Sequence, residues 1–145
     1  MDVKFEIYRS LSQLQEKFVF YIIALNVAAI GFSVYLTLGK PLVLTQIPLA
    51  LAVLSWALSI WFGMNYLKKL VDSKSVNFEM LKLEGARTLI NQNEYTAKSN
   101  ELMEEDQKIF LKIVQYLKYH ELLFYFGIVC FIFWHFLEMA VLTLL

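Results

Sequence analysis

Cysteine, proline and glycine are all scarce in this chain, and each scarcity excludes a class of fold. A single cysteine, Cys130, excludes an intrachain disulfide and a cysteine-based structural zinc site. With 2 prolines and 5 glycines, the chain has little material for the turns of a β-sheet protein. We therefore expect an all-α fold, in which Cys130 is a buried, inert thiol among apolar neighbours.

Charged residues are also scarce, which argues against a conventional soluble enzyme. They make up 18% of the 145 residues, and hydrophobic residues make up 59%. Soluble domains lie nearer about 25% charged and about 45–50% apolar, and a chain of this length has too little interior to hide the excess. The formal net charge is 0, so a nucleic-acid footprint is not evident. The composition predicts an integral membrane protein, which has the lipid bilayer as a partner.

Three apolar runs are candidates for transmembrane helices. Phe18–Leu38 and Ile47–Leu67 contain no charged residue, and each is long enough to cross a hydrocarbon core of ~30 Å at about 1.5 Å per residue. The third run, 122–145, is interrupted by His135 and Glu138. We expect a third crossing there; a buried or re-entrant amphipathic helix is the alternative.

The lysines and arginines all lie outside these runs, and their distribution predicts the orientation. Three precede the first run, one lies in the link 39–46, nine lie in 68–119, and none follows the third run. Under the positive-inside rule, the N-terminus and 68–119 are cytoplasmic, and the C-terminus is on the other side. Tyr66 is expected at the inner boundary, and Tyr35 and Trp134 toward the outer one.

The cytoplasmic segment 68–119 has apolar residues at helical spacing, which predicts an amphipathic helix with one core-facing side. This stripe comprises Leu67, Val71, Phe78, Leu81, Leu89, Leu102, Ile109, Ile113 and Tyr116. Asn91-Gln92-Asn93 near the midpoint favours a reversal. We therefore expect an antiparallel helical hairpin between the second and third membrane helices. Its stripe is buried within one subunit, or it meets the stripes of other subunits in a bundle.

The N-terminal residues 1–17 carry a short apolar pattern that includes Phe5, Leu11 and Leu14. The pattern predicts an amphipathic helix on the inner membrane surface; a cytoplasmic continuation of the first membrane helix is the alternative. The expected organisation is therefore a sequence of four parts: an N-terminal helix, a transmembrane hairpin, a cytoplasmic hairpin and a third membrane helix, at 1–17, 18–67, 68–119 and 120–145.

Catalytic arrangements are not evident in the sequence. It contains no glycine-rich phosphate loop, no HExxH, no GxSxG and no cysteine–histidine pair at ligand spacing. The acidic cluster within 101–106 lacks the glycine turn of a calcium loop, so a solvated helix face is expected. We expect a protein that is not an enzyme and that has no catalytic residue, cofactor or metal.

Polar residues inside the apolar runs are the candidates for a pore or for coupling. Asn26 and Ser33 share one stripe of the first helix, and Ser55, Ser59 and Gly63 form a stripe of small residues on the second. Small residues let helices approach closely, and asparagine can form a hydrogen bond across the contact. The stripes therefore pack the first two helices together, or they line a polar path or an intersubunit contact.

His135 and Glu138 complete this set of candidates, and their i, i+3 spacing places them on one helix face. Ionisable residues inside a membrane usually face a protein interior or a water-filled cavity. In a symmetric oligomer, Glu138 would repeat as a ring of carboxylates that favours cations, and His135 could modulate that ring with pH. The alternative is that both residues anchor the helix end at the headgroups.

The N-terminal helix, the hairpin Phe18–Leu38/Ile47–Leu67 with its Gly39-Lys40-Pro41 link, and the amphipathic segment 68–119 resemble small bacterial transmembrane effectors of antiviral systems. These effectors include the two-helix SLATT-type domains, from which the third helix of this chain departs. The resemblance implies a homo-oligomer in the bacterial inner membrane. It further implies that the oligomer permeabilises the membrane when a cytoplasmic protein or signalling ligand acts on 68–119.

These observations lead to two expectations about function. The first is a homo-oligomeric membrane protein that forms or gates a pore, with the polar membrane residues in the conduction path. The alternative is a non-conducting scaffold or accessory subunit that docks a cytoplasmic partner, in which the polar residues only pack helices.

Overall fold

The computed structural model describes residues 3–39, 43–88 and 90–144, and these residues are almost entirely helical, with no strand among them. The order of elements is α1, a short 3-10 helix, α2 and α3. Their bounds are Val3–Thr37 for α1, Leu44–Gln46 for the 3-10 helix, Ile47–Gly85 for α2 and Gln92–Leu144 for α3.

Three helical segments are long and apolar enough to cross a membrane: Ser12–Thr37, Leu44–Gly85 and Gln92–Val141. The all-α class expected from composition is therefore confirmed, and the three segments are consistent with an integral membrane protein. The helix ends follow from local chemistry. Gly39, with φ 77°, supplies the left-handed conformation that commonly follows a helix. Pro48 lies in the first turn of α2, where its missing N–H has no helical partner to lose.

Helix α1 runs without interruption from Val3 through Phe18 to Thr37. The first glycine of the chain is Gly31, and no proline precedes it, so nothing between the N-terminal segment and the apolar run breaks the helix. The described part of 1–17 is thus helically continuous with the first apolar run, as in the second of the two interpretations above. Residues 1 and 2 lie outside the described residues.

The chain divides into two compact units. The first, here called the apolar unit, comprises Met1–Gly63 and Tyr119–Leu145; the second, the charged unit, comprises Met64–Lys118. Helices α2 and α3 contribute to both units, whereas α1 belongs to the apolar unit alone.

An aromatic cluster packs the three helices of the apolar unit. The ring of Phe131 on α3 lies 6.4 Å from Phe32 on α1, 5.8 Å from Trp56 on α2 and 5.6 Å from Trp134. Trp134, expected toward the outer membrane boundary, is only 2% exposed because this cluster encloses it. Tyr35 is exposed, and the depth of both aromatic residues in a membrane stays a prediction.

Leucine, isoleucine and valine side chains form the core of the charged unit: Val76 and Leu83 from α2, and Leu102 and Ile109 from α3. Polar contacts join the same two helices. The Ser73 hydroxyl donates to the Asp106 carboxylate at 2.9 Å, and the Tyr95 hydroxyl donates to the Glu84 carboxylate. Residues later in α2 therefore contact residues earlier in α3.

Within the single chain, the predicted stripe is not buried on α2, whereas much of it is buried on α3. Val71, Phe78 and Leu81 are 67%, 58% and 71% exposed, whereas Val76 and Leu83 are buried. Both sets have helical spacing, so periodicity alone did not distinguish the two faces of α2. Tyr66, expected at the inner membrane boundary, is also buried.

The break between α2 and α3 begins after Gly85, somewhat before the predicted reversal. The backbone N–H of Ala86 bonds the carbonyl of Lys82 at 3.1 Å, which closes the last turn of α2. Asn91 precedes α3, where its side-chain oxygen accepts from the Asn93 N–H at 3.3 Å and its carbonyl accepts from the Tyr95 N–H at 2.9 Å. Asparagine is favoured at this capping position. Leu89, which was predicted to join the stripe, lies outside the described residues.

Candidate functional site

Buried polar side chains from all three helices lie inside the apolar unit. Asn26 on α1, Ser59 on α2 and His120 on α3 each have 0% of their surface exposed, and Ser33 and Ser55 are nearly as buried. Four of these five residues were predicted as site residues. We call Asn26, Ser55, Ser59 and His120 the polar cluster.

Ser59 and His120 form the centre of the polar cluster. The Ser59 hydroxyl donates to the carbonyl of His120 at 2.8 Å. The Nδ1 atom of His120 lies 2.8 Å from the carbonyl oxygen of Ser59 and 3.0 Å from its hydroxyl. Because a carbonyl oxygen only accepts, Nδ1 carries the proton and donates it to Ser59. The Ser59 hydroxyl proton is committed to a carbonyl, so this pair is not arranged as a nucleophile activated by a base.

Asn26 connects α1 to this pair. Its side-chain Nδ2 donates to the Ser59 hydroxyl at 3.0 Å, so one hydroxyl accepts from α1 and donates to α3. In a membrane, hydrogen bonds of this kind between helices are worth about 0.6 kcal/mol on average and up to about 1.7 kcal/mol. Ser59 therefore joins all three helices of the apolar unit.

The stripe of small residues on α2 also lies against α3. The Ser55 hydroxyl donates to the carbonyl of Leu123 at 2.8 Å. A Cβ atom on Gly63 would lie 2.9 Å from Cε1 of His120 and 3.1 Å from Cδ1 of Ile23. The stripe contacts α1, as expected, through Ser59 with Asn26 and through Gly63 with Ile23, and α3 approaches it as well, because small residues leave room for the histidine ring.

Three buried polar atoms have no hydrogen-bond partner among the described residues: Asn26 Oδ1, His120 Nε2 and Trp56 Nε1. Leaving such an atom unpaired costs about 1–3 kcal/mol. Two of the three belong to the polar cluster, and both are on residues that also make a hydrogen bond to Ser59. The polar cluster therefore retains unused hydrogen-bonding capacity in the interior of the apolar unit.

The remaining predicted residues lie outside the polar cluster. The Ser33 hydroxyl bonds the carbonyl of Ala29 in its own helix at 2.8 Å, so it joins no second helix. His135 is exposed, with its ring 6.4 Å from that of Trp134, and Glu138 is half-buried. Cys130, expected to be buried, is also half-buried.

A metal site is not evident in the part of the chain that the structure describes, where no group of three or more histidine, cysteine, aspartate or glutamate residues could hold an ion. His120 has a neutral partner on α2, Ser59, whose hydroxyl also accepts from Asn26 on α1. The polar cluster can accept hydrogen bonds and link helices, and it holds one titratable side chain.

His120 is the member of the polar cluster that the sequence did not predict. In the sequence, His120 directly follows the charged segment 68–119, where a histidine is an ordinary surface residue. Its spacing does carry a signal, because His120, Leu123 and Gly127 recur at helical spacing on one face of α3. That face meets the small residues of α2, including Ser55 at the carbonyl of Leu123.

No protein-family model, curated protein or solved structure matches this chain.

Proposed function

We propose that the protein is a homo-oligomer that forms or gates a pore in a bacterial inner membrane. The observation that carries the proposal is the position of His135 and Glu138 on α3: His135 is exposed in the single chain and Glu138 is half-buried. An ionisable side chain facing hydrocarbon is costly. A neighbouring copy of the chain and a shared aqueous path would give this face a polar environment.

The conduction path in this proposal follows α3, and the other predicted residues have a different role. Asn26, Ser55 and Ser59 hold the helices of one chain together through hydrogen bonds. Ser33 is also buried. Asn26, Ser55 and Ser59 would line a path only if α1, α2 and α3 separated, and the Ser33 hydroxyl bonds its own helix, so we place none of the four in the path of the closed state.

The charged unit is where a trigger would act. We place it in the cytoplasm as an antiparallel helical hairpin, with the N-terminus inside and the C-terminus outside, from the distribution of basic residues. The contacts of Ser73 with Asp106 and of Glu84 with Tyr95 support the hairpin. A cytoplasmic protein or signalling ligand would bind there, as the resemblance to membrane-permeabilising antiviral effectors implies.

Glu138→Gln tests the proposal in planar bilayers that contain the purified protein. Loss of the carboxylate ring should lower the cation selectivity of single channels, and Glu138→Asp, which keeps the charge, is the matched control and should retain it. The number of subunits is measured on the same preparation by native mass spectrometry. An unchanged selectivity in Glu138→Gln, or a monomer, contradicts a shared conduit.

A non-conducting scaffold or accessory subunit is the second candidate. It is favoured by the intrachain hydrogen bonds of Asn26, Ser55 and Ser59, which leave these residues engaged in packing. Ion flux into liposomes distinguishes the two candidates. Flux that depends on the protein supports the pore, and a tight liposome together with capture of a partner by 68–119 supports the scaffold.

A further inference from the structure

An exposed apolar face runs along α2 in the charged unit. Val71, Phe78 and Leu81 are 67%, 58% and 71% exposed, and Met64 is also exposed. Lysines and acidic residues alternate with them along the helix, so a hydrocarbon environment would be costly for this segment. Large apolar side chains that stay exposed together mark an interaction surface. The name α2 stripe is used below for Met64, Leu67, Val71, Phe78 and Leu81.

Helix α3 of the same chain packs on the other side of α2. The residues of α2 that contact it in the core of the charged unit are Val76 and Leu83. Val76 follows Val71 by five residues and precedes Phe78 by two. At 3.6 residues per turn, Val76 is therefore about 140–160° around the helix axis from these two residues of the α2 stripe. A partner for the stripe has to come from another chain.

The spacing of the α2 stripe indicates that this partner is a helix. Met64, Val71 and Phe78 are seven residues apart, and a leucine follows the first and the third of them by three residues. Alternating steps of three and four form the heptad of a coiled coil, in which two helices share one apolar seam. Lys74, three residues after Val71, occupies the remaining position of the repeat. A single polar residue in such a seam fixes the register of the two helices.

The charges beside the α2 stripe select a second copy of the chain, in parallel orientation. One edge of the stripe carries Lys68 and Lys82, and the other edge carries Asn77 and Glu84. Charges at these edge positions set the partner and the orientation of a coiled coil. In a parallel pair of identical helices, the lysine edge of one copy meets the acidic edge of the other, whereas an antiparallel pair opposes lysine to lysine. Copies inserted into a membrane in the same direction run parallel.

We propose that the α2 stripe binds the α2 stripe of a second copy as a parallel coiled coil. This interface rests on the homo-oligomer proposed above and names the surface through which its copies meet in the charged unit. Symmetry sets each residue of the stripe opposite its own counterpart. The stripe is short, and insertion of both copies into one membrane supplies the effective concentration that a short interface needs.

Oxidative cross-linking tests the proposal on the full chain in vesicles of phosphatidylethanolamine and phosphatidylglycerol. A Cys130→Ala background leaves one cysteine in each variant. Leu81→Cys should give a covalent dimer, because a disulfide needs the close approach that counterparts in one seam have. Glu79→Cys, exposed on the same helix but outside the stripe, is the control and should stay monomeric. In the Leu81→Cys chain, Val71→Glu should abolish the cross-link by opposing two carboxylates, and Asn77→Glu, at the edge, should retain it.

Equal yields of covalent dimer from Leu81→Cys and Glu79→Cys, or no dimer from either, overturn the proposal. So does a Leu81→Cys thiol that is shielded from a water-soluble maleimide without a covalent dimer, because lipid or another protein then covers the stripe. The number of subunits from native mass spectrometry separates this proposal from the pore. An oligomer without the cross-link overturns only the coiled coil, and a cross-linked oligomer that does not conduct overturns only the pore.

Discussion

Ser59 and His120 bond each other in both directions, although 61 residues separate them in the sequence. The serine hydroxyl donates to the histidine carbonyl at 2.8 Å, and the histidine Nδ1 donates to the serine carbonyl at 2.8 Å. Each residue therefore uses both its side chain and its backbone. Because the Ser59 hydroxyl also accepts from Asn26, this reciprocal pair links all three helices of the apolar unit.

Ser59→Ala should destabilise the apolar unit by about 1–3 kcal/mol, because it removes two hydrogen bonds between helices at once. The measurement is the free energy of unfolding in mixed detergent micelles. Ser75→Ala, at an exposed serine of the charged unit, is the control and should change stability by less than about 0.5 kcal/mol. An equal effect of the two substitutions would show that the reciprocal pair contributes little.

Asn26→Leu should leave stability nearly unchanged. The substitution removes the hydrogen bond to Ser59, but it also removes Oδ1, a buried acceptor without a partner. The loss of an unpaired polar atom offsets the loss of the bond, and leucine is favourable in an apolar helix. The same unfolding assay measures it, with Leu25→Ala at a neighbouring exposed position as control. A decrease of more than about 2 kcal/mol in the free energy of unfolding would exclude this compensation.

Gly127→Ala should destabilise the apolar unit by about 1–3 kcal/mol through overpacking. The new Cβ would lie 2.6 Å from Cδ1 of Trp56, a buried side chain that the aromatic cluster holds in place. Gly31→Ala is the matched control, since a Cβ there meets nothing within 4 Å. Alanine is the better helix former, so Gly31→Ala should stabilise by up to about 1 kcal/mol. An equal change in stability for Gly127→Ala and Gly31→Ala would contradict the close approach of Trp56 to α3.

Leu102→Ala should destabilise the charged unit by about 2–5 kcal/mol, because it leaves a cavity beside Val76 and Ile109. Hydrogen exchange should accelerate in the residues 64–118, and the apolar unit serves as an internal reference. The adjacent Met103 is exposed, so Met103→Ala is the control and should leave exchange unchanged. If hydrogen exchange accelerates in both variants, the face of α3 that carries Leu102 is not the one that packs in the core.

Much of the fold could be predicted from the sequence because uncharged runs of sufficient length have few alternatives. The helical class and the three candidate spans followed from composition and from runs such as Phe18–Leu38. The α2 core did not follow, because Val71 and Val76 both belong to helical stripes and only contact with α3 selects one of them. The burial of Trp134 likewise depends on a partner, Phe131, and on the helices around it.

The polar cluster was predictable in part. Asn26, Ser55 and Ser59 stood out because polar residues are uncommon in apolar runs, and all three make hydrogen bonds between helices. His120 did not stand out, because it borders a charged segment in which polar residues are ordinary. Which helix a small-residue stripe faces is a tertiary property, and spacing within α2 could not specify α3 as its neighbour.

The links of Ser59 to three helices have a consequence for synthesis of the chain. Asn26 and Ser59 are 33 residues apart, so they can pair as soon as the first two helices have entered the membrane. His120 is translated later, and chains generally fold from the N-terminus as they are made. The serine hydroxyl can therefore accept from Asn26 first, and its own proton stays available for the helix that arrives last.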